Sequence, residues 1–176
     1  MGYTGIPFEV IALDAEETKE GTPQALVMEN ARRKAQAVYE RHPGRLVLGA
    51  DTIVFLEGQA LGKPRNAREA EAMLRRIAGV WHTVYTGVCL IREDGRADTR
   101  FDESRVLMAD MDGETIEQYV RTGEPMDKAG AYALQGIGGM FVERIEGSYS
   151  NVIGLPMALV RKMLLEAGAA VFSIKR

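Results

Sequence analysis

Hydrophobic positions along this chain follow two periods that alternate, and their order predicts the architecture. Residues 8–12 read as a strand. The acidic patch Asp14, Glu16, Glu17 and Glu20 comes next, then Thr22-Pro23, a helix N-cap with proline in the first turn. Ala31, Lys34, Ala35 and Val38 recur at helical spacing behind it, and His42-Pro43-Gly44 should end the helix. Leu46, Val47 and Leu48 open a second strand. It runs through Gly49-Ala50-Asp51-Thr52 into Ile53, Val54, Phe55 and Leu56, and turns at Glu57-Gly58-Gln59. Asn66-Ala67-Arg68-Glu69 has the form of a capping box, and Ala70, Met73, Leu74 and Ile77 make one apolar face behind it. Residues 81–92 and 99–109 are strand-like, and the Asp94-Gly95 between them is a hairpin signal. Asp112 can cap a short helix carrying Ile116, Tyr119 and Val120; a glycine-rich loop, a strand at 140–145 and a helix at 156–167 follow. Helices interleaved with strands, with one antiparallel pair, predict an α/β protein: a mixed sheet flanked by helices, in one domain over residues 1–176.

Composition narrows the partners. A chain of 176 residues can bury a real core, and 46% hydrophobic with 27% charged residues is ordinary for a globular protein. A net charge of −3 gives no global pull toward nucleic acid or an anionic membrane, so any polyphosphate site must be a local cluster of Lys and Arg. Cys89 is the one cysteine, which excludes an intrachain disulfide and a cysteine zinc site and fits a reducing cytoplasm. No segment approaches the roughly 20 apolar residues of a membrane span, and the N-terminus lacks the basic start and apolar run of a signal peptide.

Candidate chemistry starts at Asp51. A carboxylate in so apolar a strand is costly unless it meets a cation, hydrogen-bond donors or water in a cleft. Thr52 sets a hydroxyl beside it, and Gly62-Lys63-Pro64, which begins eleven residues after Asp51, presents a cation. These suit an anionic, metal-bound substrate such as a nucleotide polyphosphate; a structural Asp–Lys ion pair is the competing reading. Hard metals such as magnesium take oxygen ligands, so Asp51 and Glu17 are the residue types expected near phosphate, with Lys34 and Lys63 as its cations. Lys34 can equally lay its stem over the core edge with its ammonium in water.

The second dense stretch runs from Asp127-Lys128 through Gln135 to Gly139. Its small residues let backbone approach a ligand, and Gln135 can read a base edge or simply face solvent. The glycines form neither a dinucleotide fingerprint nor a P-loop. Ser148-Tyr149-Ser150-Asn151 precedes the last helix, where turn and capping roles compete with anion binding. Serine nucleophile chemistry is disfavoured: His42 sits at a helix end, His82 at a strand start, and no Gly-x-Ser-x-Gly elbow is present.

Five motifs, in order, resemble the Maf family of nucleoside triphosphate pyrophosphatases. They are Glu29-Asn30-Ala31-Arg32-Arg33-Lys34-Ala35, Gly49-Ala50-Asp51-Thr52, Gly62-Lys63-Pro64, the 127–139 stretch, and the 146–156 stretch ending in Gly154-Leu155-Pro156. The resemblance begins at Gly5-Ile6-Pro7-Phe8-Glu9-Val10 and runs almost to the C-terminus. It implies an elongated, two-lobed Maf/ITPase-like architecture with a central cleft, commonly a homodimer. The implied activity is cleavage of a nucleoside triphosphate between its α and β phosphates, with Mg2+ or Mn2+. Asp51 would be the water-activating base or an essential metal ligand, Glu17 would assist at the metal, and Lys34 and Lys63 would hold the triphosphate. Thr52 and Gln135 match positions tied to substrate choice and point to dTTP and UTP. The alternative is a catalytically impaired nucleotide-binding regulator linked to septum formation. The family also implies a preceding strand and a Ser-x-Ser-Pro-Arg-Arg segment, where this sequence has Met1-Gly2-Tyr3-Thr4. Two expectations follow: a true start upstream of the stated one, or a shortened, impaired form.

Overall fold

The computed structural model of the chain describes residues 6–13, 15–18 and 20–169. The lead-in at residues 1–4, Gly5 of the first motif and Asp14 of the acidic patch lie outside the described residues. Helix α1 (Pro23–Arg41) starts where Thr22 accepts the Ala25 N–H at 3.3 Å and stops at His42, as the capping pattern predicts. Strands β1 (Val47–Leu56) and β2 (Gln59–Leu61) form a hairpin, with Glu57 and Gly58 both at positive φ in the turn. Helix α2 (Ala67–Ile77) is capped by Asn66, which accepts from Glu69 N at 2.9 Å. The reciprocal arm of the box goes one residue further back, where Glu69 accepts from Arg65 N.

A long hairpin of β3 (Trp81–Ile91) and β4 (Ala97–Met108) follows, then α3 (Gly113–Arg121) on its Asp112 cap. Three short 3-10 turns, Glu124–Asp127, Ala129–Ala131 and Ile137–Phe141, lead to β5 (Val142–Glu146), α4 (Tyr149–Val152) and α5 (Met157–Glu166). The sheet order is β2-β1-β3-β4-β5.

The α/β class is as expected, but every neighbouring strand pair among the described residues is antiparallel, where the alternation predicts a mixed sheet. The crossover through α2 does join two strands that run the same way, β2 and β3. The β1–β2 hairpin inserts β1 between them, so no parallel ladder forms. The strand expected at residues 8–12 is also absent. Residues 6–13 form no regular element, and Phe8 and Val10 are exposed. Apolar periodicity marks a segment that seeks cover, but a strand also needs a neighbour's backbone groups in register. Here β2 pairs with β1 only at Val54, Phe55 and Leu56. Residues 6–11 and the start of β1 instead line an apolar groove of about 380 Å³.

Buried side chains gather in three clusters. The largest joins Val54, Val84 and Val106 of the sheet to Leu74 and Ile77 of α2 and Ile116 and Tyr119 of α3. Each such Leu or Ile contributes about 1.5–3 kcal/mol on leaving water. A second packs Val88 and Leu90 against Val160 and Met163 of α5; the third sets Ala31 and Ala35 of α1 on Val47, Cys89 and Ile91.

Two glycines set how closely α1 lies on the sheet. A Cβ at Gly49 would sit 2.6 Å from the Ala31 carbonyl oxygen, and one at Gly87 only 2.2 Å from that of Val27. Backbone therefore packs on backbone at both points, and the next turn of α1 is carried directly over Asp51, which pairs in register with Gly87.

Candidate active site

Because α1 lies so close, its Lys34 reaches the buried Asp51 carboxylate. The ammonium donates to Asp51 Oδ1 at 2.5 Å and to Glu17 at 2.7 Å. Burial works against the charge on Lys34, but its bonds to Asp51 and Glu17 outweigh that cost and raise its pKa, so it stays protonated. Asp51 is 8% exposed, which removing its partners would turn into an uncompensated buried charge. The ion pair that forms is thus with Lys34, one of the two cations expected, and not with Lys63.

Asn30, one helical turn before Lys34, completes this wall. Its side-chain carbonyl accepts the Thr18 N–H at 2.8 Å, while its amide donates to the Thr18 carbonyl at 3.2 Å and to Asp51 Oδ2 at 3.3 Å. It is 4% exposed. Arg33 adds a bond to the Glu16 carbonyl at 3.0 Å and is itself held by Glu29, whose carboxyl is pulled down to about 2 by hydrogen bonds from Arg32 and Arg33. The acidic segment that carries Glu17 is therefore stapled to α1 on either side of it. In the sequence Asn30 is a member of the Glu29-to-Ala35 motif with no role assigned to it, four residues before Lys34 on the same helix face.

The opposite wall is irregular chain. Gly130 takes a left-handed φ of +69°, its N–H donates to the Gly62 carbonyl at 3.1 Å, and a Cβ there would meet Val54 at 2.8 Å. That contact sets the segment around Asp127 against the Lys63 turn. Lys128 donates to Asp127 at 2.5 Å and lowers its carboxyl, with the Lys63 charge adding a smaller push. Beyond Gln135, Glu124 holds the loop: it accepts from Ile137 N at 2.9 Å, Gly138 N at 2.8 Å and the Tyr119 hydroxyl at 2.8 Å. No feature of the sequence singles out Glu124, since its partners, two backbone N–H groups and the Tyr119 hydroxyl, are brought to it by the fold.

Behind the cavity, Thr52 and Thr86 face each other in the β1–β3 register with their hydroxyls 2.9 Å apart. Thr86 donates to the Asn151 carbonyl at 2.9 Å. Ser148 and Ser150 act as caps, accepting from Asn151 N and Met157 N, the capping role expected for that stretch. His82 is buried against Tyr132, with Nε2 2.9 Å from the hydroxyl, and burial pushes it down to about 4.

Glu17, Lys34, Asp51, Thr52, Lys63 and Gln135 all line one cavity of about 1130 Å³, across which the two walls face each other. Its charged lining is balanced: Lys34, Lys63, Arg65 and Lys128 against Glu17, Asp51, Glu69 and Asp127. No three His, Cys, Asp or Glu side chains converge among the described residues. Two carboxylates at one end of an open cavity still fit magnesium or manganese, which take one or two protein carboxylates and fill the rest of the octahedron with water and phosphate oxygens.

Comparison with known proteins agrees with this picture. The Maf family, described as Maf-like protein, matches residues 1–167. A dTTP/UTP pyrophosphatase of Nitratidesulfovibrio vulgaris is 49% identical over 168 residues, covering 94% of this chain and 80% of that protein. Proteins of the same description from Thermococcus gammatolerans and Caldicellulosiruptor bescii are 47% and 46% identical, covering 94% and 93% of this chain and 88% and 86% of theirs.

Proposed function

The chain belongs to the Maf family, and on that premise we propose that it hydrolyses dTTP and UTP to the monophosphate and pyrophosphate. One observation carries the reading: six residues named from the sequence, five in its motifs and Glu17 in the acidic patch, line a single cavity. The relatives are named as enzymes, which favours the hydrolase over the septum-linked nucleotide-binding regulator.

In this reading Asp51 accepts the proton of the attacking water, or serves as an essential metal ligand, as the α–β anhydride breaks and pyrophosphate leaves. Its burial and its bonds to Lys34 and Asn30 hold it in one orientation for that task. Lys34 exchanges a carboxylate for a phosphate oxygen when substrate enters, and Lys63 holds the triphosphate from the other wall. The balanced lining supports a divalent metal, since a triphosphate brings more negative charge than these four cations neutralise beside four carboxylates. Asp51 and Glu17 would hold Mg2+ or Mn2+, which would offset phosphate charge. Thr52 and Gln135 meet the base. The family resemblance extends the proposal to an elongated two-lobed form, a homodimer and a cytoplasmic location; no helix among the described residues is long and apolar enough to cross a membrane.

The test is pyrophosphate release by the purified chain from dTTP, UTP, CTP, GTP and 7-methyl-GTP, with magnesium or manganese. Release confined to dTTP and UTP is the expected outcome. Equal turnover of all five, or a preference for methylated guanine, would remove the pyrimidine assignment.

A further inference from the structure

We propose that Thr86, a buried residue behind the cavity wall, fixes the hydrogen-bond polarity of Thr52 and makes the site read a pyrimidine through its ring N–H. The proposal rests on the pyrimidine triphosphate reading above and supplies its means of rejecting cytosine.

The argument is a proton count. Thr86 is fully buried, and its hydroxyl carries one proton. The Asn151 carbonyl, 2.9 Å away, can only accept, so that proton is committed there. The Thr52 hydroxyl, 2.9 Å from Thr86 Oγ1, must then donate its own proton to Thr86. What remains on Thr52 Oγ1 is lone pairs. Toward the cavity it is an acceptor and nothing else.

The far end of this chain cannot turn round. Asn151 is fully buried, and its side-chain amide donates to the Val84 carbonyl and to Ser104 Oγ, both at 3.0 Å. Its backbone carbonyl also accepts from Gly154 N at 2.9 Å. Gly154 takes φ +99°, and a Cβ there would sit 3.2 Å from Thr52 Oγ1. Glycine at that position keeps the hydroxyl oxygen open to a ligand.

Uracil and thymine carry an imide N–H between two carbonyls; cytosine has a bare acceptor nitrogen at the same ring position. An acceptor-only oxygen pairs with the first and sets lone pair against lone pair with the second. Gln135 cannot make this distinction alone. It is exposed, and its amide can turn to present either its oxygen or its nitrogen. Discrimination falls to the hydroxyl whose proton is already spent.

Thr86→Val keeps shape and volume close and leaves the Asn151 carbonyl its bond from Gly154. It frees the Thr52 proton to turn toward the ligand. The experiment compares kcat/KM for UTP and CTP in wild type, T86V and T86S, with the same ratio read as binding of the α,β-methylene analogues. Thermal midpoints confirm that each variant is folded. The expected result is a UTP:CTP ratio at least tenfold lower in T86V, mainly from gain with CTP, and a ratio near wild type in T86S, where the hydroxyl relay is restored. An unchanged ratio in folded T86V overturns the proposal while leaving the pyrimidine reading intact. A wild-type chain that turns over purine and pyrimidine triphosphates alike overturns both.

Discussion

The two walls of the cavity are built by different means. The α1 wall rests on regular structure: helix backbone lies on strand backbone at Gly49 and Gly87, and Lys34 and Asn30 descend one turn apart onto Asp51. The facing wall has almost no regular structure, and side chains hold its backbone: Glu124 gathers two loop N–H groups and a tyrosine hydroxyl, and His82 meets Tyr132 from the sheet. Geometry that must be held within a fraction of an ångström for chemistry sits on packed elements. In the proposed reading Gln135, which meets the base together with Thr52 of β1, sits on a loop, where side-chain bonds supply the order that a ladder would otherwise give.

The strongest way to break the comparison is Asp51→Asn. It should lower kcat by about 10³-fold, the range of a lost acid–base group, while circular dichroism and thermal midpoint show an intact fold. Activity near wild type would take Asp51 out of the mechanism.

Acid should strain the loop wall next. Burial holds His82 neutral in the folded chain down to about 4, whereas the unfolded histidine takes a proton below its ordinary 6.5. The unfolded state therefore binds more protons between those values, and stability falls as pH drops through that window, by roughly 3 kcal/mol at its floor. Urea unfolding at several pH values between 7.5 and 4.5 measures it. The slope should flatten in His82→Gln, and an equal slope in the variant would assign the acid sensitivity elsewhere.

A pair of variants sharpens the contrast with smaller effects. Asn30→Leu removes the donor to Asp51 and the clamp on Thr18, so kcat should fall on the order of thirtyfold with KM little changed. Glu124→Ala frees the Gln135 loop, so KM for UTP should rise about tenfold with kcat near wild type. Steady-state kinetics on both, side by side, decides. If the two variants moved the same parameter, the division of labour between the walls would be wrong.

Much of this was legible in the chain. Local signals carry their own physics, so Thr22-Pro23, Asn66 and Asp112 start helices where expected, and Asp94-Gly95 turns the hairpin. An aspartate in an apolar strand had to find a cation, hydrogen-bond donors or water in a cleft, and it has the Lys34 ammonium and the Asn30 amide. The expectation at residues 8–12 failed because pairing depends on a neighbour that periodicity cannot see. Lys63 was the nearer cation in sequence, yet Lys34 is the one that reaches Asp51, because α1 crosses the sheet at two glycines. Of these, Gly87 looks like any other strand glycine until the helix is laid on it.

By itself the sequence determined most of the elements, the family and the residue types that line the cavity, since capping and periodicity are written within a few residues and the motifs can be read in order along the chain. Only the tertiary structure decided which of those residues touch. Thr86 opposite Thr52, Asn30 against Asp51 and Glu124 beneath the Gln135 loop depend on strand register and helix approach. Those are long-range properties, set by backbone packing between segments that share no local signal.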